Sequence, residues 1–171
     1  MKEISVQELK LNPMTMLADE WMLVTAGTKE RGCNTMTISW GHLGCIWGKP
    51  TAVVYVRPQR YTKEFVDREE LFTLTVFPEK YHGALAYLGS HSGRDGDKVA
   101  AAGLTPVFGE GYTAFAEAKM TLVCRKLYRA PLKEEGFLDK EVLERNYPQR
   151  DFHDLYVGEI VKVLISDEVE A

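Results

Sequence analysis

Between Trp21 and Ile165 the β-branched and aromatic residues fall in short runs, each cut off by glycine, proline or a polar turn. The stretches between them are too short and irregular for the regular crossover helices that parallel strands need. That disfavours a doubly wound parallel sheet and leaves antiparallel pairing as the frame. The runs are Trp21–Thr25, Asn34–Trp40, Ala52–Val56, Leu71–Phe77, a long one near Ala116–Tyr128, and Tyr156–Ile165. Leu71–Phe77 alternates most cleanly, with Phe72, Leu74 and Val76 on one face and Thr73 and Thr75 on the other. Short helices are predicted at Tyr61–Glu70, from Pro78 to about Leu88, over one turn at Lys98–Ala102, and at Asp139–Arg145 with Asp139 as N-cap. Gly41, Gly44 and Gly48 read as a punctuated loop ending at Pro50, and Ser90–Asp97 as a polar loop. The expectation is a mainly β protein, a barrel of Greek-key topology with short helical insertions.

At 171 residues the chain is long enough for one domain, 1–171, with a core of its own. Residues 1–20, broken by Pro13, read as an N-terminal arm. A formal charge of −4 gives no basic field for nucleic acid, so no nucleic-acid partner is expected, although a local basic pocket remains open. No apolar run reaches bilayer length, so no membrane partner is expected either. Glu3, Glu8, Asp19 and Glu20 interrupt the first segment, which does not read as a secretory signal. Cys33, Cys45 and Cys124 are odd in number and form no C-x-x-C, which suits reduced thiols and a cytoplasmic setting. No redox role is assigned to Cys33 or Cys45. The histidines His42, His82, His91 and His153 fall in no zinc-ligand spacing, so no metal is expected. Walker A, G-x-G-x-x-G and G-x-S-x-G patterns are absent.

Three clusters carry possible chemistry. Asn34, Thr35, Thr37 and Ser39 set small hydrogen-bonding groups beside Met36, Trp40 and Trp47. A planar heteroaromatic would use the polar groups along its edge and Met36 and the aromatics against its faces. A strand with a solvated polar side fits the same composition. Arg57, Arg60 and Thr62 fall at a strand end just before a predicted helix, an arrangement that suits a phosphate. Solvated arginines with Thr62 as a plain cap would look the same. Ser90–Lys98 mixes hydroxyls, Gly93, Arg94 and Lys98, fit either to close over a phosphorylated tail or to form a surface loop. Glu159, in an otherwise apolar strand, either faces solvent or pairs with an arginine.

The order of these motifs is itself informative. Asn34-Thr-Met-Thr-Ile-Ser-Trp-Gly41 is followed by Trp47-x-Lys-Pro50 and Arg57-Pro-x-Arg-Tyr-Thr62. Then come Phe72-Thr-Leu, Ser92-Gly-Arg-Asp-x-Asp-Lys98, Gly103-Leu-Thr and His153-x-x-Tyr-Val-Gly-Glu-Ile160. Over roughly Trp21–Ile165 this resembles the flavin reductase-like family with the FMN-binding split-barrel fold, in particular its flavoredoxin-type branch.

The resemblance implies a split β-barrel and a homodimer with FMN near the subunit interface. It implies that Asn34, Met36, Thr37, Ser39 and Trp40 hold the isoalloxazine, with Met36 against the ring and Thr37 and Ser39 as hydrogen-bond donors to it. It places Arg57, Arg60 and Thr62 near the phosphate, Ser92, Gly93 and Lys98 over the ribityl and phosphate, and His153 close to the site. The implied activity is an NAD(P)H-dependent flavin reductase or oxidoreductase, with NADH or NADPH as donor. The alternative is a flavoredoxin-like electron carrier serving a redox protein partner. The cofactor carries the redox chemistry, so no side chain is named as catalytic.

Overall fold

The computed structural model describes residues 1–167, so the last four residues of the expected domain, 168–171, lie outside it. Ten strands form in chain order: β1 (Lys2–Ile4), β2 (Met22–Thr28), β3 (Gly32–Ile38), β4 (Gly41–Ile46), β5 (Lys49–Val56), β6 (Leu71–Val76), β7 (Pro106–Gly109), β8 (Tyr112–Phe115), β9 (Met120–Pro131) and β10 (Asp154–Ile165). The helices are short: α1 (Pro13–Thr15), α2 (Thr62–Arg68), α3 (His82–Ser90), α4 (Lys98–Ala101) and α5 (Lys140–Asn146). None is long and apolar enough to cross a membrane.

Eight strands make one antiparallel sheet in the order β3-β2-β6-β9-β10-β5-β4, with β1 beside the far end of β10. The hairpins β2–β3, β4–β5 and β9–β10 are joined by crossovers, which is the expected Greek-key order. β10 pairs with β9 along one edge, and with β5 over Asp154–Glu159 and β1 over Ile4↔Val163 to Lys2↔Ile165 on the other. Register shifts at Val157/Gly158 and Ile160/Lys162 bend it. The sheet curls so that Met22, Val24, Met36, Val54, Phe72, Leu122, Tyr156 and Ile165 share one buried interior, closed at one end by Phe65 and Val66 of α2.

α2 is tied down by charge. Lys63 Nζ reaches Asp67 at 2.7 Å and Asp154 at 2.9 Å. Arg129 on β9 reaches the same two carboxylates at 3.2 and 2.6 Å, and Tyr156 donates to Asp67 at 2.6 Å. Two cations and two anions thus balance within one cluster, which fixes where the chain enters α2.

Several expectations change. The loop expected over Gly41–Pro50 is a hairpin, turned at Trp47 and Gly48 with φ of 55° and 69°. Its glycines are tolerated because β4 is an edge strand, with β5 as its only strand neighbour. The β7–β8 ribbon was not expected. It packs on the outer face of β2 and β6 and buries Thr73 and Thr75. Thr73 donates to the Thr113 carbonyl at 2.7 Å, and Thr113 to that of Gly27 at 2.9 Å. A second apolar cluster, with Leu23, Phe77, Leu85 and Phe115, lies on this side. The arm is partly structured through β1, and β9 begins at Met120 rather than Ala116. Glu159 pairs within the chain, with Lys49 at 2.8 Å and Arg125 at 2.7 Å.

Gly158 sits where β10 bends, and a Cβ there would lie 2.7 Å from the Phe72 ring and 2.9 Å from Cys124 Cβ. Gly158→Ala should therefore cost about 1–3 kcal/mol through overpacking. It should lower the urea midpoint at constant slope, and an unchanged midpoint would refute this packing.

Candidate functional site

β3 has a strand neighbour on one side only, so the backbone groups on its other edge are not used by the sheet. α3 packs beside it. Two clefts open along this edge. The first, about 200 Å³, is bounded by Met36, Thr37, Ile38, Ser39 and Trp40 from β3 and its end, Tyr55 and Arg57 from the end of β5, Arg60, and His153 at the entry to β10. The second, about 140 Å³, is bounded by Asn34 and Met36, by Gln59–Thr62, and by Leu88, Ser90–Gly93 and Lys98 across α3 and α4. Met36 and Arg60 line both, so the clefts are contiguous. All twelve residues expected at the site line one cleft or the other.

The first cleft is edged by aromatic rings. Trp40 is 46% exposed, and its ring lies 5.2 Å from that of His153. Tyr55 meets His153 edge-on at 6.4 Å. His153 is buried and its Nδ1 lies 2.8 Å from the Tyr147 hydroxyl. Burial, and then the Arg57 guanidinium, push the imidazole down to about 4, so it is neutral at pH 7. Thr37 donates its hydroxyl hydrogen to the Leu85 carbonyl, which leaves its oxygen only as an acceptor toward the cleft. Ser39 is exposed, and its hydroxyl makes no hydrogen bond among the described residues.

The second cleft is cationic. Lys98 is 6% exposed, yet its Nζ meets only the carbonyls of Leu88 at 2.8 Å and His91 at 2.9 Å. Burial, and then nearby Arg60, lower it to about 8. Arg60 donates to the Gly89 carbonyl at 3.3 Å. Among the described residues neither cation forms an ion pair. Arg94 is paired with Glu64 and lies over the Tyr61 ring at 4.5 Å. Asn34 donates to Thr62 Oγ1 at 2.8 Å. A Cβ on Gly93 would lie 2.2 Å from Asn34 Oδ1, so only glycine lets this loop close on the strand.

Arg57 lies on the aromatic cleft, away from Lys98, where it pairs with Asp151 and donates to the Asn146 carbonyl at 2.8 Å. Residues 146–151 were not legible as its partners because they lie about ninety positions away in sequence. Sequence reading also missed Tyr55, Tyr61 and His91. Tyr55 was placed in its strand, but the facing direction of a single tyrosine is not readable before the sheet closes. Cys33 is half-buried, with its thiol pushed up by burial, and Cys124 is in the core, so neither is a ready thiolate.

The family model of the flavin reductase like domain matches residues 14–171. No curated protein matches the chain. Among solved structures it is similar to flavoredoxin of Desulfovibrio vulgaris (Miyazaki F), at 23% identity and TM-score 0.67, over 86% of this chain and 69% of that one. It is similar to a split barrel domain protein of Shewanella frigidimarina at 16% identity and TM-score 0.67, over 87% and 68%. It is also similar to the NADH:FAD oxidoreductase of Streptomyces globisporus, solved with NAD and FAD fragments, at 17% identity and TM-score 0.64, over 88% and 77%. At these identities the likeness is one of fold: the mainly β split barrel.

An anion beside Lys98 meets two positive charges only while Lys98 is protonated. The lysine passes from about 8 in the folded chain to an ordinary value of 10.5 unfolded, so its charge at the cleft is lost as pH rises through 8. Sulfate, which does not titrate there, should bind several-fold more weakly at pH 9 than at pH 7, and Lys98→Met should abolish that dependence. Calorimetric titration that gave equal affinity at both values would overturn this assignment.

Proposed function

The chain belongs to the flavin reductase-like domain family, and we propose that it is an FMN-binding flavoprotein that moves electrons from NADH or NADPH through FMN. The observation that carries this reading is the contiguity of the two clefts, one edged by Trp40, Tyr55 and His153, the other lined by Lys98 and Arg60, which have no counter-ion among the described residues. A single mononucleotide flavin matches both, with its ring in the first cleft and its phosphate in the second.

The fit can be argued residue by residue. Lys98 is the strongest feature, because a buried ammonium without a carboxylate is costly until an anion joins it. Arg60 stands at the junction, able to reach a phosphate or the polar edge of a ring. Ser92 and Gly93 lie on the loop that closes over the second cleft, beside Asn34 and Thr62. Met36, Trp40 and the free edge of β3 suit a flat ring, with backbone N–H groups and the Ser39 hydroxyl available to its heteroatoms. Arg57 supports the wall of the ring cleft rather than the phosphate. FMN, when bound, supplies the hydride and electron chemistry. The chain's residues bind it, orient it and leave one face open near Trp40 for a nicotinamide.

A homodimer with FMN near its seam completes the reading. Beside the ring cleft, and sharing Ser39, Trp40 and Tyr55 with it, lies an apolar hollow lined by Met14, Leu17, Phe137 and Val142. Met14 is 77% exposed and nearby Leu138 is 98% exposed. A second copy of the chain would cover this face through a two-fold contact.

Stopped-flow mixing of the FMN-loaded protein with NADH or NADPH should bleach the flavin absorbance, and light scattering should give twice the 19.4 kDa chain mass. Retained FMN that neither nucleotide bleaches would overturn the reductase reading in favour of an electron carrier fed by a protein partner. A monomer at micromolar concentration would remove the seam.

A further inference from the structure

Arg57 is the base of a chain of contacts that ends at the ring cleft. Its guanidinium pairs with Asp151, donates to the Asn146 carbonyl at 2.8 Å and lies 5.2 Å from the centre of the Tyr147 ring. These contacts bind the segment between α5 and β10 to the end of β5. Tyr147, 3% exposed, packs between Phe137 and Phe152, with ring centres 5.4 and 5.1 Å away. Its hydroxyl meets His153 Nδ1 at 2.8 Å. The imidazole faces Trp40 and Tyr55 in the ring cleft.

Hydrogen-bond counting fixes the direction of the last contact. A buried phenol hydrogen needs an acceptor. Among the described residues His153 Nδ1 is the only group hydrogen-bonded to the Tyr147 hydroxyl. Tyr147 therefore donates, Nδ1 is the bare nitrogen, and the ring hydrogen sits on Nε2. Among the described residues no group is hydrogen-bonded to Nε2, and the side chain lines the cleft. The charged groups acting on this imidazole are Arg57 and Arg60 on one side of the balance and Asp151 on the other, and the cations prevail.

We propose that Tyr147 and Arg57 are positioning residues that lock His153 in the Nε2–H tautomer, making it a fixed hydrogen-bond donor to an acceptor atom on the planar ligand of this cleft. In the flavin reading, on which the ligand half of this inference rests, the acceptor is a carbonyl oxygen or ring nitrogen of the isoalloxazine. A neutral donor aimed at such an atom stabilises negative charge there without delivering a full proton.

Nitrogen NMR of histidine-labelled, ligand-free protein tests the lock without any flavin. The expected result is Nε2–H at pH 7 and a titration midpoint near 4. Tyr147→Phe keeps the ring packing, and with it the burial and the nearby Arg57 that lower the midpoint, but removes the hydroxyl and should yield a tautomer mixture. Nδ1–H in the unaltered protein would overturn the proposal, as would Tyr147→Phe leaving the tautomer unchanged. Should that variant not fold, the tautomer of the unaltered protein still decides. FMN affinity then tests the donor role. Tyr147→Phe and His153→Gln should each weaken FMN roughly 3- to 10-fold, and the double variant no more than His153→Gln alone. Additive losses, or none, would remove the donor role. Failure of the unaltered protein to bind FMN would instead count against the flavin reading, with the tautomer lock judged by its own result.

Discussion

β10 pairs with β9 along one edge and with β5 and then β1 along the other, so a single strand joins the two halves of the sheet. Its first residues carry the site with it. Asp154 receives both Lys63 and Arg129, which sets α2 and the Arg57–Thr62 approach to it. His153, one residue earlier, enters the ring cleft from the same strand end. Gly158 allows the bend between these roles, because the Phe72 ring occupies the space a side chain would need. Barrel closure and site geometry are therefore one constraint.

The cations of the site fall into two kinds, and the division explains its chemistry. Lys63, Arg57, Arg94 and Arg129 have carboxylate partners and act as fasteners. Among the described residues Lys98 and Arg60 meet only backbone carbonyls. Burial with no counter-charge disfavours the ammonium form, which is why Lys98 is lowered to about 8. An anion of the ligand reverses that penalty. Among the described residues the fold thus leaves two cations of one cleft without a carboxylate and pairs the others within its own framework.

Much of this was legible in the sequence, because strand periodicity and clustered polar residues are local signals. The Leu71–Phe77 alternation located β6 and its inward face, and Asn34–Trp40 located the edge strand that borders both clefts. The outward face of β6 was not legible. Thr73 and Thr75 read only as the face opposite Phe72, Leu74 and Val76, since nothing local announces that the β7–β8 ribbon will fold across them. The β4–β5 hairpin was hidden by glycines that an edge strand tolerates. Arg57 was grouped with Arg60 by proximity in sequence, but a guanidinium goes to the nearest carboxylate in space, and Asp151 is brought there only by sheet closure. The Tyr147–His153 contact has the same origin.

The central claim is that two adjoining clefts form one site for a ring and its phosphate. The most direct measurement compares FMN with riboflavin, which keeps the ring and ribityl chain but lacks the phosphate. Two charge-assisted contacts from Lys98 and Arg60 predict FMN tighter by at least about 100-fold at pH 7. Affinities equal within about threefold would mean that the cationic cleft does not read the ligand's phosphate, and the claim of a single site would fail.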